Sequence, residues 1–392
     1  RFHRYDLLCA RAHAVGTNLS FRGQSASRVE AQVLYSNKVL TVLHPRVERG
    51  EEKAAADAIV ADFNARQVYI TNAYGNMAPL VIARAIGPKV GRTMEAYVFD
   101  RPPQARAYGV VPMKGEQGAD LHFDVDGGPF HWWKFNISRI SGHVHWKESQ
   151  LSLENLDADF YSGKARGYAV IDVSEIPGTE FVFSIAGTNV LLQEIAADLS
   201  SATNKSEGRL DGTVTVTRAN SDDWRSVQGY GQLKFHDGLL WDIPLFGVLS
   251  PVLDGIMPGL GSSRASEGVC TYIVTNGVFR TSDLDIRTTT MRLQYRGDVD
   301  LALDYQLNAK VEAELLKDMW VVGPLVSTVL WPVSKIFEYK VGGTLGDPQL
   351  EPINVIPRLM QIPFYPFRIF KGLGTGNGKP ASEPPANPKT AN

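Results

Sequence analysis

The sequence contains few cysteines. Cys9 and Cys270 are the only two among 392 residues, and they lie far apart in the chain. The sequence leaves open whether the two form a disulfide, but a single pair of cysteines does not imply a disulfide framework. Neither a CxxC pair nor the cysteine spacing of a structural zinc site is present.

No charge of one sign dominates the chain. The sequence holds 40 basic and 42 acidic residues, and its pI is near 6.5. Proteins that bind nucleic acid usually carry a basic half or a basic stripe, which this sequence lacks. The composition therefore predicts no nucleic-acid partner.

Long hydrophobic runs are also missing. The longest uncharged stretch, 319–334, has 16 residues and is interrupted by Pro324 and Pro332. A helix that crosses a bilayer needs about 20 apolar residues. The sequence therefore predicts neither a spanning helix nor a signal peptide within this chain.

Motifs for catalysis are absent as well. The sequence contains no GxSxG and no HExxH, and the GxGxG at 372–376 follows no strand and opens no helix. Carboxylate pairs such as Asp157 and Asp159 suggest the acids of a glycosidase. They alternate with apolar residues, which is typical of a solvated strand face. We therefore expect a protein that is not an enzyme.

Histidines supply the one candidate for a metal site. His143 and His145 lie on one strand face, with His122 and His131 nearby in sequence, and a carboxylate would complete a zinc site. An exposed alternating face explains the pair equally well. No third ligand stands at a diagnostic spacing, so we expect neither a metal nor a cofactor.

Turn residues and alternation are what the chain has in abundance. Its 36 glycines and 22 prolines recur between alternating segments, as in all-β proteins. The clearest segment is 297–315, where every odd position from 299 onward is apolar or aromatic and most even positions are polar. Side chains of a strand alternate between faces, so this pattern predicts one exceptionally long strand with an apolar face.

Further elements follow from local signals. Asn276–Gly277 predicts a type I′ hairpin, and the apolar phase changes near 288–290, which predicts a bulge or a change of partner. Residues 53–64 favour a hairpin over a helix. Helices are predicted at 79–90, with Pro79 in the first turn, at 189–199, with Asn189 as cap, and near 319–338. We divide the chain into an N-terminal β segment (1–129), hairpin repeats (130–208) and a C-terminal β module (209–350).

Two segments follow these modules. Residues 355–371 combine basic and aromatic side chains near helical spacing without an acid, which is typical of a segment that lies on a membrane surface. The predicted membrane-contact residues within the amphipathic segment 351–371 are Arg358, Phe364, Phe367, Arg368, Phe370 and Lys371. The alternative is a segment that caps the end of the sheet, since Pro363 and Pro366 interrupt a helix. Residues 372–392 have the composition of a disordered tail.

Several motifs in 209–350 together resemble a known family. They are GQLKFHDGLLWDIPLFG (231–247), TSDLDI after the Asn-Gly hairpin (281–286), RGDVDL (296–301) and the closing GTLGDP (343–348). In this order they resemble the C-terminal region of bacterial AsmA-like proteins, relatives of AsmA and TamB. The resemblance implies a long antiparallel sheet curled into an open groove with a few short capping helices. It also implies periplasmic localisation, with an inner-membrane anchor helix outside this chain.

The resemblance further implies a role in moving phospholipid toward the outer membrane. The partners we expect are phospholipid, a membrane surface and outer-membrane assembly proteins. The predicted groove lining consists of Val214, Val216, Leu284, Ile286, Leu293, Val299, Leu301, Leu303, Tyr305 and Leu307. Two alternatives stay open, namely a scaffold for outer-membrane protein assembly that offers an edge strand and a secreted carbohydrate-active β protein.

Overall fold

The chain folds as one extended antiparallel sheet. The computed structural model describes residues 9–355 apart from 88–90, 93, 96, 116, 133, 173, 175–176, 200–205, 257 and 316–334. Within these residues the strands join a single sheet of 22 strands. The prediction of a mainly β, antiparallel protein with a few short helices is therefore confirmed.

The first half of the sheet runs to residue 147. Its strands are β1 (Cys9–Phe21), β2 (Gln24–Ser36), β3 (Val39–Arg49), β4 (Glu52–Ala55), β5 (Ala58–Asp62), β6 (Gln67–Gly75), β7 (Tyr97–Phe99), β8 (Gln104–Pro112), β9 (Asp120–Gly127), β10 (Phe130–Trp132) and β11 (Phe135–Lys147). β3 pairs with both β4 and β5, and each of these pairs with β6. β6, β8, β9 and β11 follow as neighbours.

The second half is a plain meander in which each strand from β11 to β22 pairs with the next. Its strands are β12 (Gln150–Phe160), β13 (Gly163–Asp172), β14 (Glu180–Leu191), β15 (Glu207–Asn220), β16 (Asp223–Leu239), β17 (Ala265–Thr275), β18 (Val278–Thr288), β19 (Met291–Asp300), β20 (Gln306–Leu315), β21 (Lys335–Gly343) and β22 (Pro348–Val355).

Short helices interrupt the strands. They are α1 (Pro79–Ile86), α2 (Leu192–Leu199), α3 (Pro244–Gly247) and α4 (Ser250–Ile256), and a 3₁₀ turn follows at Leu260–Ser262. Pro79 occupies the first turn of α1, as predicted. The helix predicted at 189–199 begins only at Leu192, because Val190 and Leu191 still pair with β15. Asn189 is therefore not the cap of this helix. The backbone N–H of Asn189 donates to the Asp211 carboxylate instead.

The prediction of one long strand at 297–315 is wrong. It is a hairpin of β19 and β20 joined by a turn at 301–305, where Asp304 and Tyr305 have positive φ. The turn places Leu303 53% exposed and Tyr305 45% exposed. Val299 and Leu307 are cross-strand partners separated by an even number of residues. The apolar positions therefore stay odd on both strands, and the sequence pattern does not reveal the turn between them.

Residues with suitable backbone φ angles or side-chain hydrogen bonds form the turns of other hairpins. Asn276 and Gly277 have φ of 51° and 71°, as the predicted type I′ turn requires. A Cβ on Gly277 would lie 2.4 Å from the Trp224 carbonyl oxygen, so this turn accepts no side chain there. The phase change at 288–290 is a strand reversal, in which the Thr288 hydroxyl accepts the amide of Met291 at 3.0 Å.

Other predictions have mixed outcomes. Residues 53–64 form strands β4 and β5, so the hairpin interpretation is confirmed over the helix. The helix predicted near 319–338 lies mostly outside the described residues, and 335–338 belong to β21. Residues 356–392, with all six predicted membrane-contact residues, lie outside them too.

One closed hydrophobic core lies at the C-terminal half of the sheet. Side chains of β16–β21 pack beneath the segment 240–262, which contains α3, α4 and the 3₁₀ turn. Leu253 of α4 is fully buried there, as are Tyr339 and Val311 of the sheet. Because this segment lies between β16 and β17 in sequence, the chain supplies its own cover for that part of the sheet.

A buried carboxylate ties the opposite face of the same strands together. Burial alone would raise the pKa of the Asp285 carboxyl, but hydrogen bonds from Arg292 and Arg287 outweigh it and hold this pKa below its ordinary value. Arg292 Nε donates to Asp285 Oδ2 at 2.8 Å. The carboxylate therefore links β18 to β19 in its ionised form.

We expect Asp285→Asn to lower the free energy of unfolding at pH 7 by about 1–3 kcal/mol, since it leaves Arg292 without its charged acceptor. A lowered carboxyl pKa stabilises the fold above the unfolded-state pKa and loses that effect as pH falls through the folded-state value. Urea unfolding at pH 7 and pH 3 should therefore show a smaller difference between variant and parent at pH 3. An equal difference at both pH values would contradict this role.

Candidate functional site

The register of the sheet gathers apolar side chains on one face. Antiparallel partners point to the same side, so each row of partners can be followed across the sheet. One unbroken row crosses thirteen strands without a charged or polar side chain. Its members are Ala73, Ala107, Phe123, Val144, Leu153, Ala169, Phe183, Val216, Gly229, Val274, Phe279, Val299 and Leu307.

Adjacent rows repeat this character. On one side of that row lies the row Ile185, Val214, Gly231 and Tyr272. On the other side lies the row Leu121, Trp146, Leu151, Ile171, Phe181 and Ala219. We call the surface made by these three rows the apolar face. The intervening rows, such as Tyr108, His122, His145 and Ser152, form the opposite, polar face.

Exposure divides the apolar face into two parts. From β9 to β15 most of its side chains are half-buried, among them Val144, Leu153 and Phe183, and Val214 is 38% exposed. On β16 to β21 the same side of the sheet carries further rows, whose members Ile286, Leu293, Tyr295 and Val311 are buried under the segment 240–262, whereas Val274 and Phe279 of the central row stay half-buried. We call the first part the uncovered region of the apolar face, because among the described residues the segment 240–262 does not pack on it. Leu121 and Ala219 at its edge are nevertheless buried.

The covered part has no room for a ligand. A cavity of about 10 Å³ lies there between Trp241, Phe246, Ile286 and Leu293, close to the smallest volume that holds one water. The ring of Phe235 packs onto Gly268, where a Cβ would lie 1.8 Å from a ring carbon. Among the described residues, side chains pack closely here and this cavity is far too small for an acyl chain.

The predicted groove residues fall into three groups. Val214, Val216 and Val299 lie on the apolar face outside the fully buried set. Ile286, Leu293 and Leu307 lie on the same side of the sheet but are buried in the closed core, and Leu284 packs against it. Leu301, Leu303 and Tyr305 lie in the turn between β19 and β20.

Sequence reasoning missed the central residues of the uncovered region. Phe123, Val144, Leu153 and Phe183 were not among the predicted lining residues, although their segments alternate as clearly as 297–315. The alternation was the signal that could have found them. Their shared face became visible only through the register of β9, β11, β12 and β14.

Histidines and aspartates meet on the polar face where β9 pairs with β11. We call Asp120, His122, Asp124, His143 and His145 the histidine cluster. Asp120 Oδ1 lies 2.8 Å from His145 Nε2 and 3.3 Å from His122 Nε2. His122 Nδ1 lies 3.0 Å from His143 Nε2, and His143 Nδ1 lies 2.7 Å from Asp124 Oδ1.

His131 belongs to a different network. Its Nε2 lies 2.9 Å from Asp100 Oδ1, and this hydrogen bond is the main cause that raises the pKa of His131. Asn136 joins it to Asp198 of α2, whose carboxylate also accepts the hydroxyl of Tyr161 at 2.5 Å. The network fastens α2 to β10 and β11 and has no contact with the histidine cluster among the described residues.

The two cysteines do not pair. Cys9 is exposed on β1 and Cys270 is half-buried on β17, and both are free thiols. Burial raises the pKa of the Cys270 thiol to about 11, so it stays protonated at neutral pH. An unreactive thiol among apolar neighbours acts as a small hydrophobic side chain.

No family model matches the chain, and no significant match was found among curated proteins or solved structures. Among the described residues, every helix falls short of the length and hydrophobicity that crossing a bilayer demands. The sheet itself therefore supplies the observations that bear on function.

Proposed function

We propose that the protein is a non-enzymatic lipid carrier that holds phospholipid acyl chains on the uncovered region of its apolar face. The observation that carries the proposal is the row from Ala73 to Leu307, which stays apolar across thirteen strands. An ordinary sheet buries such a face against a second layer. Here the helices of the segment 240–262 cover only neighbouring rows of β16–β21, and most members of this row on β9–β15 stay half-buried.

The chemistry of this surface suits acyl chains. Each methylene removed from water contributes about 0.8 kcal/mol, and the branched and aromatic side chains offer no hydrogen-bond partner to a polar ligand. A face that continues from strand to strand lets an acyl chain shift by one strand spacing, about 4.8 Å, without leaving apolar surroundings. Such a surface supports movement along the sheet as well as binding.

We further propose where the carrier acts and between which membranes. The motifs of 209–350 resemble AsmA-like proteins, so we place the carrier in the periplasm as part of an elongated groove. It would carry phospholipid between the inner and outer membranes in support of outer-membrane biogenesis. Residues 355–371, with their basic and aromatic side chains, would contact the membrane surface.

Photo-crosslinking tests the proposal at single positions. Phe183→p-benzoylphenylalanine places the reactive group in the uncovered region, and Tyr168→p-benzoylphenylalanine places it on the polar face of the neighbouring strand. Irradiation of cells that contain each full-length variant, followed by mass spectrometry, should yield phospholipid adducts at position 183 and at most a tenth of that yield at position 168.

Two outcomes would contradict the proposal. Equal lipid yields at both positions would mean that lipid contacts the protein without regard to the apolar face. Adducts at position 183 that contain only peptide would mean that another protein or another part of this chain covers the region. The second outcome would favour the scaffold alternative.

A further inference from the structure

With its imidazoles neutral, the histidine cluster leaves one ring nitrogen without a hydrogen-bond donor to accept from. An ionised Asp124 carboxylate accepts only, so His143 Nδ1 must donate to it. A neutral His143 then has a lone pair on Nε2, which must accept from His122 Nδ1. A neutral His122 is left with a lone pair on Nε2, and that lone pair faces the Asp120 carboxylate at 3.3 Å.

Two lone pairs directed at one another repel, so this position favours a cation between them. His145 Nε2 approaches the same oxygen, Asp120 Oδ1, at 2.8 Å. Three potential ligand atoms therefore converge on one point and lie within 4.8 Å of one another.

We propose that Asp120, His122 and His145 bind one divalent transition-metal ion, with zinc the best match, on the polar face of the sheet. Two imidazoles and a carboxylate are a ligand set that zinc accepts, and its fourth position would hold water. Hard cations such as Mg²⁺ and Ca²⁺ prefer oxygen ligands, so the two imidazoles discriminate against them.

The surroundings supply the outer support that metal-bound histidines need. His143 Nε2 accepts the Nδ1–H of His122, and His143 Nδ1 donates to the Asp124 carboxylate. These two hydrogen bonds fix the His122 tautomer that presents its Nε2 to the metal. His145 would bind through Nε2 with its proton on Nδ1, so a neutral ring changes tautomer on binding and a doubly protonated ring releases its Nε2 proton.

The ligand atoms are close enough for a tetrahedral site, but the two imidazole rings must reorient to form it. Ligand atoms about 2.0–2.2 Å from zinc lie about 3.3–3.5 Å from one another. Here Asp120 Oδ1 lies 2.8 Å from His145 Nε2 and 3.3 Å from His122 Nε2, and all three ligand atoms lie within 4.8 Å of one another. The rings of His122 and His145 stack at 4.1 Å with an 11° angle between their planes. Each plane must contain the metal, so binding tilts the rings apart about the soft outer torsion of histidine.

The site would clamp β9 to β11, because Asp120 and His122 belong to one strand and His145 to the other. It lies on the polar face and not among the apolar rows. The inference therefore stands independently of the proposed lipid function.

Calorimetric titration of the purified full chain with zinc chloride tests the proposal, after removal of any affinity tag and treatment with a chelator. We expect one zinc ion per chain. Asp124→Asn, which alters only the support of His143, should weaken binding by about 10–100-fold. His145→Gln removes a ligand and should weaken binding further. Cobalt in place of zinc should give the visible absorption of a tetrahedral site in the parent chain and lose it in His145→Gln.

His13→Gln is the matched control. His13 Nε2 lies 3.2 Å from Glu30 Oε1, so it is also a histidine paired with a carboxylate on a strand, but in a separate pair. This variant should bind zinc as the parent does. Zinc should also raise the melting temperature of the parent and of His13→Gln, and not that of His145→Gln. Equal zinc affinity in the parent and His145→Gln, or no binding by the parent, would overturn the proposal.

Discussion

Leu253→Ala is expected to lower the free energy of unfolding by about 2–5 kcal/mol, while Leu303→Ala should change it by less than about 0.5 kcal/mol. Leu253 is fully buried on α4, beneath which the strands β16–β21 form the closed core. Leu303 is 53% exposed in the turn between β19 and β20. The two variants remove the same atoms, so the difference between them measures the cover that α4 provides.

Urea unfolding monitored by tryptophan fluorescence measures both variants, since Trp241 packs against the same core. If Leu253→Ala fails to fold, the volume-conserving Leu253→Met should fold and lose less than about 1.5 kcal/mol. A loss below about 1 kcal/mol for Leu253→Ala would show that α4 does not seal this part of the apolar face. The covered region would then be a candidate for lipid as well.

The second large effect concerns a charged band across the uncovered region. Ile185 and Val214 are cross-strand partners on the apolar face, and Ile185→Asp combined with Val214→Asp places two carboxylates side by side there. A bare carboxylate against an acyl chain costs several kcal/mol, and every 1.4 kcal/mol is a factor of about ten. We expect the rate of phospholipid transfer between vesicles to fall at least 10-fold.

Ser184→Asp combined with Thr215→Asp is the control for this band. These residues are also cross-strand partners on β14 and β15, but they lie on the polar face, where their hydroxyls meet at 2.8 Å. Both double variants set two like charges opposite each other and should be destabilised to a similar extent. The control should transfer phospholipid at the parent rate. An equal loss of the transfer rate in both double variants would mean that lower stability causes it, and would contradict the proposed lipid path.

The strands themselves were predictable because a strand is encoded locally. Asn276–Gly277 specifies its turn by φ alone, and the alternation in 209–217 or 278–286 needs only neighbours along the chain. Local encoding also explains the largest error. In 297–315 the phase of alternation survives the turn at 301–305, so the sequence pattern cannot distinguish one long strand from two short ones.

The histidine cluster shows what local patterns cannot reach. His143 and His145 are visible in sequence as a pair, but Asp120 and His122 come more than twenty residues earlier and meet them only through the register of β9 against β11. A shift of that register by one residue would turn His122 to the opposite face. Ligand sets assembled across strands therefore escape spacing rules that were learned from contiguous motifs.

The amino-acid sequence by itself determined an antiparallel, one-sided sheet with short helices, because turn residues and period-two alternation act over a few residues. Only the tertiary structure decided which part of the apolar side is buried among the described residues. The segment 240–262 folds back over β16–β21 and fills the face there, whereas β9–β15 keep half-buried apolar side chains. That outcome depends on long-range packing between segments whose apolar residues look alike in sequence, and packing of this kind leaves no local signature.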